Sequence, residues 1–268
     1  MKLLFTDLDG TLLNNESRVS PGTKAFLDEF LLAGNKLILS SGRPLLSILE
    51  VKEKAGLTQP GIFLTCSNGS QIYDCDRSTS ILEKRLPLSY IPYLQSQADK
   101  YNLHIQTYRS DAIVSPAEDE EVTYYRRKIH LPLVVSPVLR DALTEGPFKM
   151  LAISLEDARK LEAFRQSIAS WAENKVRTIY SNHMYLELFD WNAGKGNAVR
   201  FLCDYFHVRI ADAYAAGDAD NDISMLTAAG TGIAMQNASD NVKQRADVIT
   251  SLDNDHDGLA KTMRSLLR

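Results

Sequence analysis

The first eleven residues constrain most tightly what this chain can fold into. Leu3-Leu4-Phe5 is a short run of consecutive apolar residues, the pattern of a strand buried on both faces, and it gives way at once to Asp7-Leu8-Asp9-Gly10-Thr11. Strands buried on both faces belong to parallel sheets covered by helices, and in open sheets of that kind ligands bind at the carboxyl ends of the strands. An acidic pair at i and i+2 on that edge is placed for chemistry, and Gly10 allows a turn that aims backbone N–H groups at a bound anion. Two carboxylates about 4 Å apart repel by roughly 4 kcal/mol at an effective dielectric near 20, and a phosphate would add to this, so a cation is expected between them. Oxygen donors alone suit Mg2+. Standing alone, an Asp-x-Asp-Gly turn is also an ordinary solvated loop, so the rest of the chain has to decide.

Ser20-Pro21 followed by Ala25, Phe26, Phe30, Leu31 and then Gly34 reads as a capped helix. Lys36-Leu37-Ile38-Leu39 is a second apolar strand, ending in Ser40-Ser41-Gly42-Arg43. A right-handed βαβ crossover brings that end to the same sheet edge as Asp7 and Asp9, where the Ser41 hydroxyl can meet the same phosphate. Ser40 and Ser41 also cap the helix read from Pro44 to Ala55, and the two roles are compatible because helix N-termini bind anions. A third buried strand, Gly61 to Cys66, ends in the turn Ser67-Asn68-Gly69.

From about Ile72 to Leu188 the pattern changes. Strands are predicted near 72–74, 80–86, 103–108, 111–115, 131–135, 148–154, 176–181 and 184–188, with helices near 89–101, 118–129, 137–143 and 156–173. The strands here are more polar and read as half exposed, which suits a separate α+β layer. Beyond it, Gly194-Lys195-Gly196-Asn197 opens a helix to about Tyr205, with a lysine in the first turn, where the macrodipole disfavours a cation unless an anion is near. Ala211 to Ala216 is a small-residue strand ending in Gly217-Asp218-Ala219-Asp220-Asn221-Asp222, a further acidic cluster at a strand end. A helix from Ile223, a strand over 231–235, a helix near 239–245, a strand over 247–250 and a helix from Gly258 complete the pattern.

The 268 residues suffice for one large domain or two modest ones. A net charge of −4 argues against a nucleic-acid partner. The three cysteines, Cys66, Cys75 and Cys203, contain no C-x-x-C pair, so no disulfide framework is expected and a reducing compartment is. No apolar stretch approaches 18 residues and Asp7 interrupts any signal-peptide core, so no membrane partner is expected and the chain is read as cytoplasmic. The oligomeric state is not legible.

Asp7-Leu8-Asp9-Gly10-Thr11, Ser41-Gly42-Arg43, Lys195-Gly196 and Gly217-Asp218-Ala219-Asp220-Asn221-Asp222 stand in order at strand ends. With Ala234-Met235-Gln236-Asn237-Ala238 and Asp255-His256-Asp257-Gly258-Leu259, they make the chain similar to the haloacid dehalogenase superfamily, and within it to the Cof-like subfamily with a type IIB cap. The resemblance implies an α/β fold: a Rossmann-like doubly wound parallel sheet over 1–82 and 189–268, carrying an inserted α+β cap over 83–188 that selects substrate. It further implies Asp7 as nucleophile, Asp9 as general acid and then base, and Ser41, Gly42 and Lys195 as holders of the phosphoryl oxygens. Mg2+ is implied on Asp7, on the Asp9 backbone carbonyl and on Asp218, with Asn221 and Asp222 orienting its waters or Lys195 from behind. The family pattern gives Asp220 no role. For Arg43 and Asn68, ordering the site and a purely structural role fit equally well. In the cap, Tyr124 to Lys128 reads as a solvated helix face, and His183 sits in a turn.

The expected activity is a Mg2+-dependent phosphatase acting on a small phosphorylated metabolite such as a sugar phosphate. The alternatives are a phosphomutase or other phosphotransferase of the same superfamily and, from another class, a phosphate-sensing module without turnover. Phosphate release from a substrate panel separates them.

Overall fold

The computed structural model describes residues 1–268. In chain order the first elements are β1 (Leu3–Thr6), α1 (Pro21–Leu32), β2 (Lys36–Ser40), α2 (Leu45–Lys54), β3 (Ile62–Cys66), β4 (Gln71–Asp74) and β5 (Thr79–Glu83). Then come α3 (Ile91–Asp99), β6 (His104–Tyr108), β7 (Ile113–Ser115), α4 (Glu120–Arg126), β8 (Leu133–Val135), β9 (Lys149–Ile153), α5 (Ala158–Ala172), β10 (Val176–Asn182) and β11 (Tyr185–Asp190). The chain closes with α6 (Lys195–Tyr205), β12 (Ala213–Gly217), α7 (Ile223–Leu226), β13 (Thr231–Ala234), α8 (Asp240–Lys243), β14 (Val248–Ile249) and α9 (Gly258–Leu266). Two compact units form: Met1–Gly42 with Ile48–Leu82 and Gly194–Arg268, and Arg43–Ser47 with Glu83–Ala193.

The first unit is built on an eight-stranded sheet in the order β14-β13-β12-β1-β2-β3-β4-β5. Its strands run parallel from β14 to β3, and β4 returns antiparallel to β3. This is the doubly wound α/β sheet expected from the alternation of elements. Leu3, Leu4 and Phe5 are fully buried, as consecutive apolar residues in a covered parallel strand must be. Register pairs Thr6 with Leu39 on one side and with Ala216 on the other, so the chain leaves β1, β2 and β12 at one common edge.

Helix α1 starts as its sequence dictates. Ser20 accepts the Thr23 backbone N–H at 3.2 Å, Pro21 occupies the first turn, and Phe26, Leu27, Phe30 and Leu31 are buried. Asp257 reinforces that start by accepting the Thr23 N–H at 3.0 Å and its hydroxyl at 3.1 Å. The nearby acids diverge from it: Asp253 accepts from His256, and Asp255 from Asn15. Asp253, Asp255 and Asp257 are therefore three separate clamps and form no joint ion site.

The strands predicted near 72–74 and 80–86 are β4 and β5, and they extend the first sheet. Polar sequence there marks an antiparallel sheet margin reached by a tight return after β3, and no new layer begins at Ile72.

The second unit holds a six-stranded sheet in the order β10-β11-β9-β6-β7-β8, antiparallel except for the β7–β8 pair. One face carries Ile105, Met150, Ala152, Leu186 and Leu188 against Leu94 of α3 and Leu161, Phe164 and Ile168 of α5. The other places Tyr108, Leu151 and Ile153 against Val122 and Tyr125 of α4. Strands β6, β7 and β9 are thus buried throughout, contrary to the half-exposed pattern expected, whereas β8 and β10 keep it. The polar residues that suggested exposure are paired instead. Lys149 Nζ meets Glu187 Oε2 at 2.7 Å, the Gln106 amide donates to Tyr108 Oη at 2.9 Å, and His104 Nδ1 lies 2.6 Å from Asp119. A further difference lies at 137–143, where a 3₁₀ turn, Leu139–Ala142, replaces the expected helix. Pro137 before it and Gly146-Pro147 after it leave too few residues to nucleate an α-helix.

Candidate active site

The acidic end of β1 meets the amino end of α6 and the turn after β12. The Asp7 N–H donates to Ala216 O at 3.0 Å, and the chain folds back so that the Leu13 N–H donates to Leu8 O at 2.8 Å. Gly10, at φ +80°, has no room for a side chain, because a Cβ there would lie 2.5 Å from Asp218 Oδ2. The missing carbon is the space the Asp218 carboxylate occupies.

Lys195 is the first residue of α6 and is 1% exposed. Its Nζ donates to Asp7 Oδ1 at 2.6 Å and to Asp222 Oδ1 at 2.5 Å. This explains a lysine in the first helical turn: two carboxylates outweigh the unfavourable macrodipole. Burial acts to lower the Lys195 pKa, but Asp222 and then Asp7 more than reverse it, so the ammonium is held charged. Asp222 is fully engaged. Its Oδ2 accepts the backbone N–H groups of Asp218 and Ala219, each at 3.1 Å, and the residue is completely buried.

Asp7 and Asp218 have less support. Burial drives the Asp7 carboxyl well above its ordinary range, with the Asp222 and Asp218 charges adding and Lys195 opposing. Burial, then Asp222, pushes Asp218 up to about 6, against a hydrogen bond from Thr11 Oγ1 at 2.7 Å. Asp9 is half-buried near enough to add its own charge to Asp218, and it bridges to Leu13.

Ser41 follows β2 and is 4% exposed. Its N–H donates to Thr65 O at 2.8 Å, and its carbonyl accepts the Asn68 N–H at 3.0 Å. By register it lies one residue beyond the position beside Asp7. Gly42 closes that segment of the first unit, whereas Arg43 groups with the second, its Nη1 3.4 Å from Ser47 Oγ. In the turn after β12, Asn221 keeps a buried Oδ1 with no hydrogen-bond partner, and Asp220 accepts from Asn241 Nδ2 at 2.9 Å, a structural role.

Two residues escaped the sequence reading. Thr11 stands inside the first motif, and a hydroxyl two positions after Asp9 was a usable signal for a carboxylate partner. Asn237 stands in Ala234 to Ala238, a segment that carries the resemblance, but the resemblance gave it no role. Its Nδ2 donates to Gly10 O at 2.8 Å across 227 positions of sequence, while its Oδ1 accepts the Asn254 N–H at 3.3 Å.

Carboxylate oxygens of Asp7, Asp218 and Asp222 lie within 4.8 Å of one another, a set that can hold a metal ion. The donor chemistry fits Mg2+: oxygen ligands only, a buried carboxyl on Asp7 and a half-buried one on Asp218, both raised by burial and then by neighbouring negative charge, and the orphaned Asn221 Oδ1 in the same turn. Asp222, with both oxygens already committed to Lys195 and the backbone, is better suited to orient than to ligate.

The family model for haloacid dehalogenase-like hydrolases matches residues 4–263. The chain is similar to the 5-amino-6-(5-phospho-D-ribitylamino)uracil phosphatase of Bacillus subtilis strain 168, at 27% identity over 100% of this chain and 98% of that protein. It is likewise similar to the pyridoxal phosphate phosphatase of Escherichia coli K12, at 27% identity over 99% and 98% of the two chains. The crystal structure of a haloacid dehalogenase-like hydrolase from Bacteroides thetaiotaomicron superposes with a TM-score of 0.89 at 29% identity, over 99% of each chain. No helix is long and apolar enough to cross a membrane. From the match along nearly its whole length, the chain belongs to the haloacid dehalogenase-like hydrolases.

Proposed function

We propose that this protein is a Mg2+-dependent phosphatase that hydrolyses a small phosphorylated metabolite, a sugar phosphate in particular, through a phosphorylated Asp7. The observation that carries this reading is the Lys195 ammonium bound between Asp7 and Asp222, with the Asp218 carboxylate beside them.

An Asp7 carboxylate oxygen attacks phosphorus, and the bond to the leaving alkoxide breaks as Asp9 delivers its proton to that oxygen. Asp9, now a carboxylate, takes a proton from water, which attacks the same phosphorus and releases Asp7 and inorganic phosphate. Lys195 holds positive charge beside the transferring group in a buried site, where it stabilises developing negative charge more than it would in water. Ser41 and Gly42 supply hydrogen-bond donors to the phosphoryl oxygens from the end of β2. Asp7, Asp218 and the Asp9 carbonyl are the groups that would hold Mg2+, which when bound supplies positive charge for the phosphoryl oxygens and keeps Asp7 ionised. Asn221 supports that shell, and Thr11 and Asp222 orient Asp218 and Lys195 from behind.

We assign residues 83–188 the role of a type IIB cap that selects the leaving group, and we place the enzyme in the cytoplasm. The names of the two relatives, each a phosphatase of a small phosphorylated compound, support a substrate of that class. The test is phosphate release from sugar phosphates, pyridoxal phosphate, nucleotides and an aryl phosphate, with and without Mg2+, beside Asp7→Asn. Turnover that needs Mg2+ and is lost in D7N is expected. Wild type releasing no more phosphate than D7N overturns the reading.

A further inference from the structure

The turn after β3 is built in a way that stability does not explain. Ser67, Asn68 and Gly69 all take left-handed backbone angles, φ +49°, +57° and +92°. For the first two residues that conformation is strained. Asn68 is completely buried, and neither its Oδ1 nor its Nδ2 has a hydrogen-bond partner. Burying an unbonded carboxamide costs stability on top of the strain. At these angles glycine would be unstrained and would carry no amide to desolvate.

The turn's neighbours suggest what the side chain is for. On one side the Asn68 N–H donates to the Ser41 carbonyl at 3.0 Å, and the Ser41 N–H donates to Thr65 O at 2.8 Å, so the backbone at Ser41 is tied on both sides to the end of β3. On the other side the turn packs backbone to backbone against the residue preceding Lys195: a Cβ on Gly69 would lie 2.5 Å from Gly194 O and 3.0 Å from Gly194 N. A single three-residue turn thus touches both elements to which the proposed function gives the phosphoryl group, and the Asn68 side chain is completely buried.

We propose that Asn68 is a positioning residue, a buried spacer that sets the separation of Ser41 and Lys195 for phosphoryl transfer. The inference rests on the proposed function for what is transferred, and it deepens that reading by naming what holds the two grips apart. In this role the side chain acts by its volume on the turn, whose backbone meets Ser41 at the Asn68 N–H and Gly194 at Gly69, and not by bonding a reacting atom. Misplacing catalytic groups by an ångström costs up to about a hundredfold in rate, so removing the spacer is expected to act on kcat.

The test compares Asn68→Gly and Asn68→Leu with wild type by kcat, KM, Tm and the rise in Tm produced by inorganic phosphate with Mg2+. For N68G, which relieves both strain and desolvation, the expected result is a Tm equal to or above wild type, a kcat lower by roughly ten- to a hundredfold and a KM within about threefold. N68L restores the volume without the amide and is expected to return kcat to within about threefold of wild type. A wild-type kcat in N68G, or a Tm below wild type in that variant, overturns the proposal. Loss of kcat in both variants also overturns it, since the amide and not the volume would then be required. If wild type itself shows no turnover, the phosphatase reading fails separately. The spacer is then judged by phosphate binding alone: a Tm rise smaller in N68G than in N68L supports it, and equal rises overturn it.

Discussion

Asp222 accepts Lys195 Nζ on one carboxylate oxygen at 2.5 Å and holds two backbone N–H groups on the other. One fully buried side chain therefore orients the ammonium and the turn that presents Asp218. Replacing it with asparagine removes the charge and leaves Lys195 buried against Asp7 alone. Loss of such a supporting group typically costs 10- to 100-fold in activity, so we expect Asp222→Asn to lower kcat by about that factor, with a lower Tm. Steady-state kinetics and calorimetry on the purified variant read both, and an unchanged kcat would show that Lys195 needs no anchor.

The stability of the metal-free protein should carry the mark of Asp218. Its folded carboxyl is raised to about 6 from 3.8, so the folded state binds that proton more tightly than the unfolded chain does. The corresponding stability is present below pH 3.8 and is lost as pH rises toward 6. Asp218→Asn removes the loss. Without metal, the stability of the variant relative to wild type is expected to grow by about 2 kcal/mol between pH 4 and pH 7. Urea unfolding at several pH values measures it, and a difference independent of pH would contradict it.

Gly10 and Asp218 share one small space, so Gly10→Ala should act on the site more than on the fold. The added carbon meets a carboxylate oxygen at 2.5 Å at a backbone angle of φ +80° that alanine tolerates poorly. We expect the Mg2+ concentration giving half-maximal activity to rise by about tenfold or more, with a stability loss of about 1–2 kcal/mol. A variant with a Mg2+ requirement like that of wild type would be inconsistent with Asp218 as a ligand.

In the second unit, Lys149 is 1% exposed and its ammonium lies 2.7 Å from Glu187 and 4.9 Å from the Tyr108 ring. Glu187→Ala strands a buried charge and is expected to destabilise by about 3–5 kcal/mol, while adding Lys149→Met recovers most of that loss. Denaturant unfolding of both single variants and the double variant closes the cycle. Additive losses would refute the pairing.

Legibility followed chain distance and local pattern. Consecutive apolar residues ahead of Asp7, the cap and proline at Ser20-Pro21, and the alternation of short strands with helices marked the doubly wound sheet because each signal lies within a few residues of its effect. Lys195 was legible as an anomaly, a cation in a helical first turn, and the resemblance offered Asp222 as a group to orient it or the metal's waters, but its bond to Asp7 was not legible, for that residue lies 188 positions away. Polar residues at His104, Gln106, Lys149 and Glu187 read as exposure because sequence records polarity and not pairing. They are buried in the company of one another, on strands that become neighbours only in the folded unit.

The sequence by itself determined which segments are strands of a covered parallel sheet and that acidic, hydroxyl and lysine residues stand at their ends, since periodicity and strand termination are local. Tertiary structure alone decided which of those groups share a charge balance. Asp222 became the anchor of Lys195, Thr11 the partner of Asp218 and Asn237 the tie on Gly10. These assignments depend on distances of a few ångströms between residues up to 227 positions apart, and on burial, which makes each unpaired carboxylate costly enough to demand a partner.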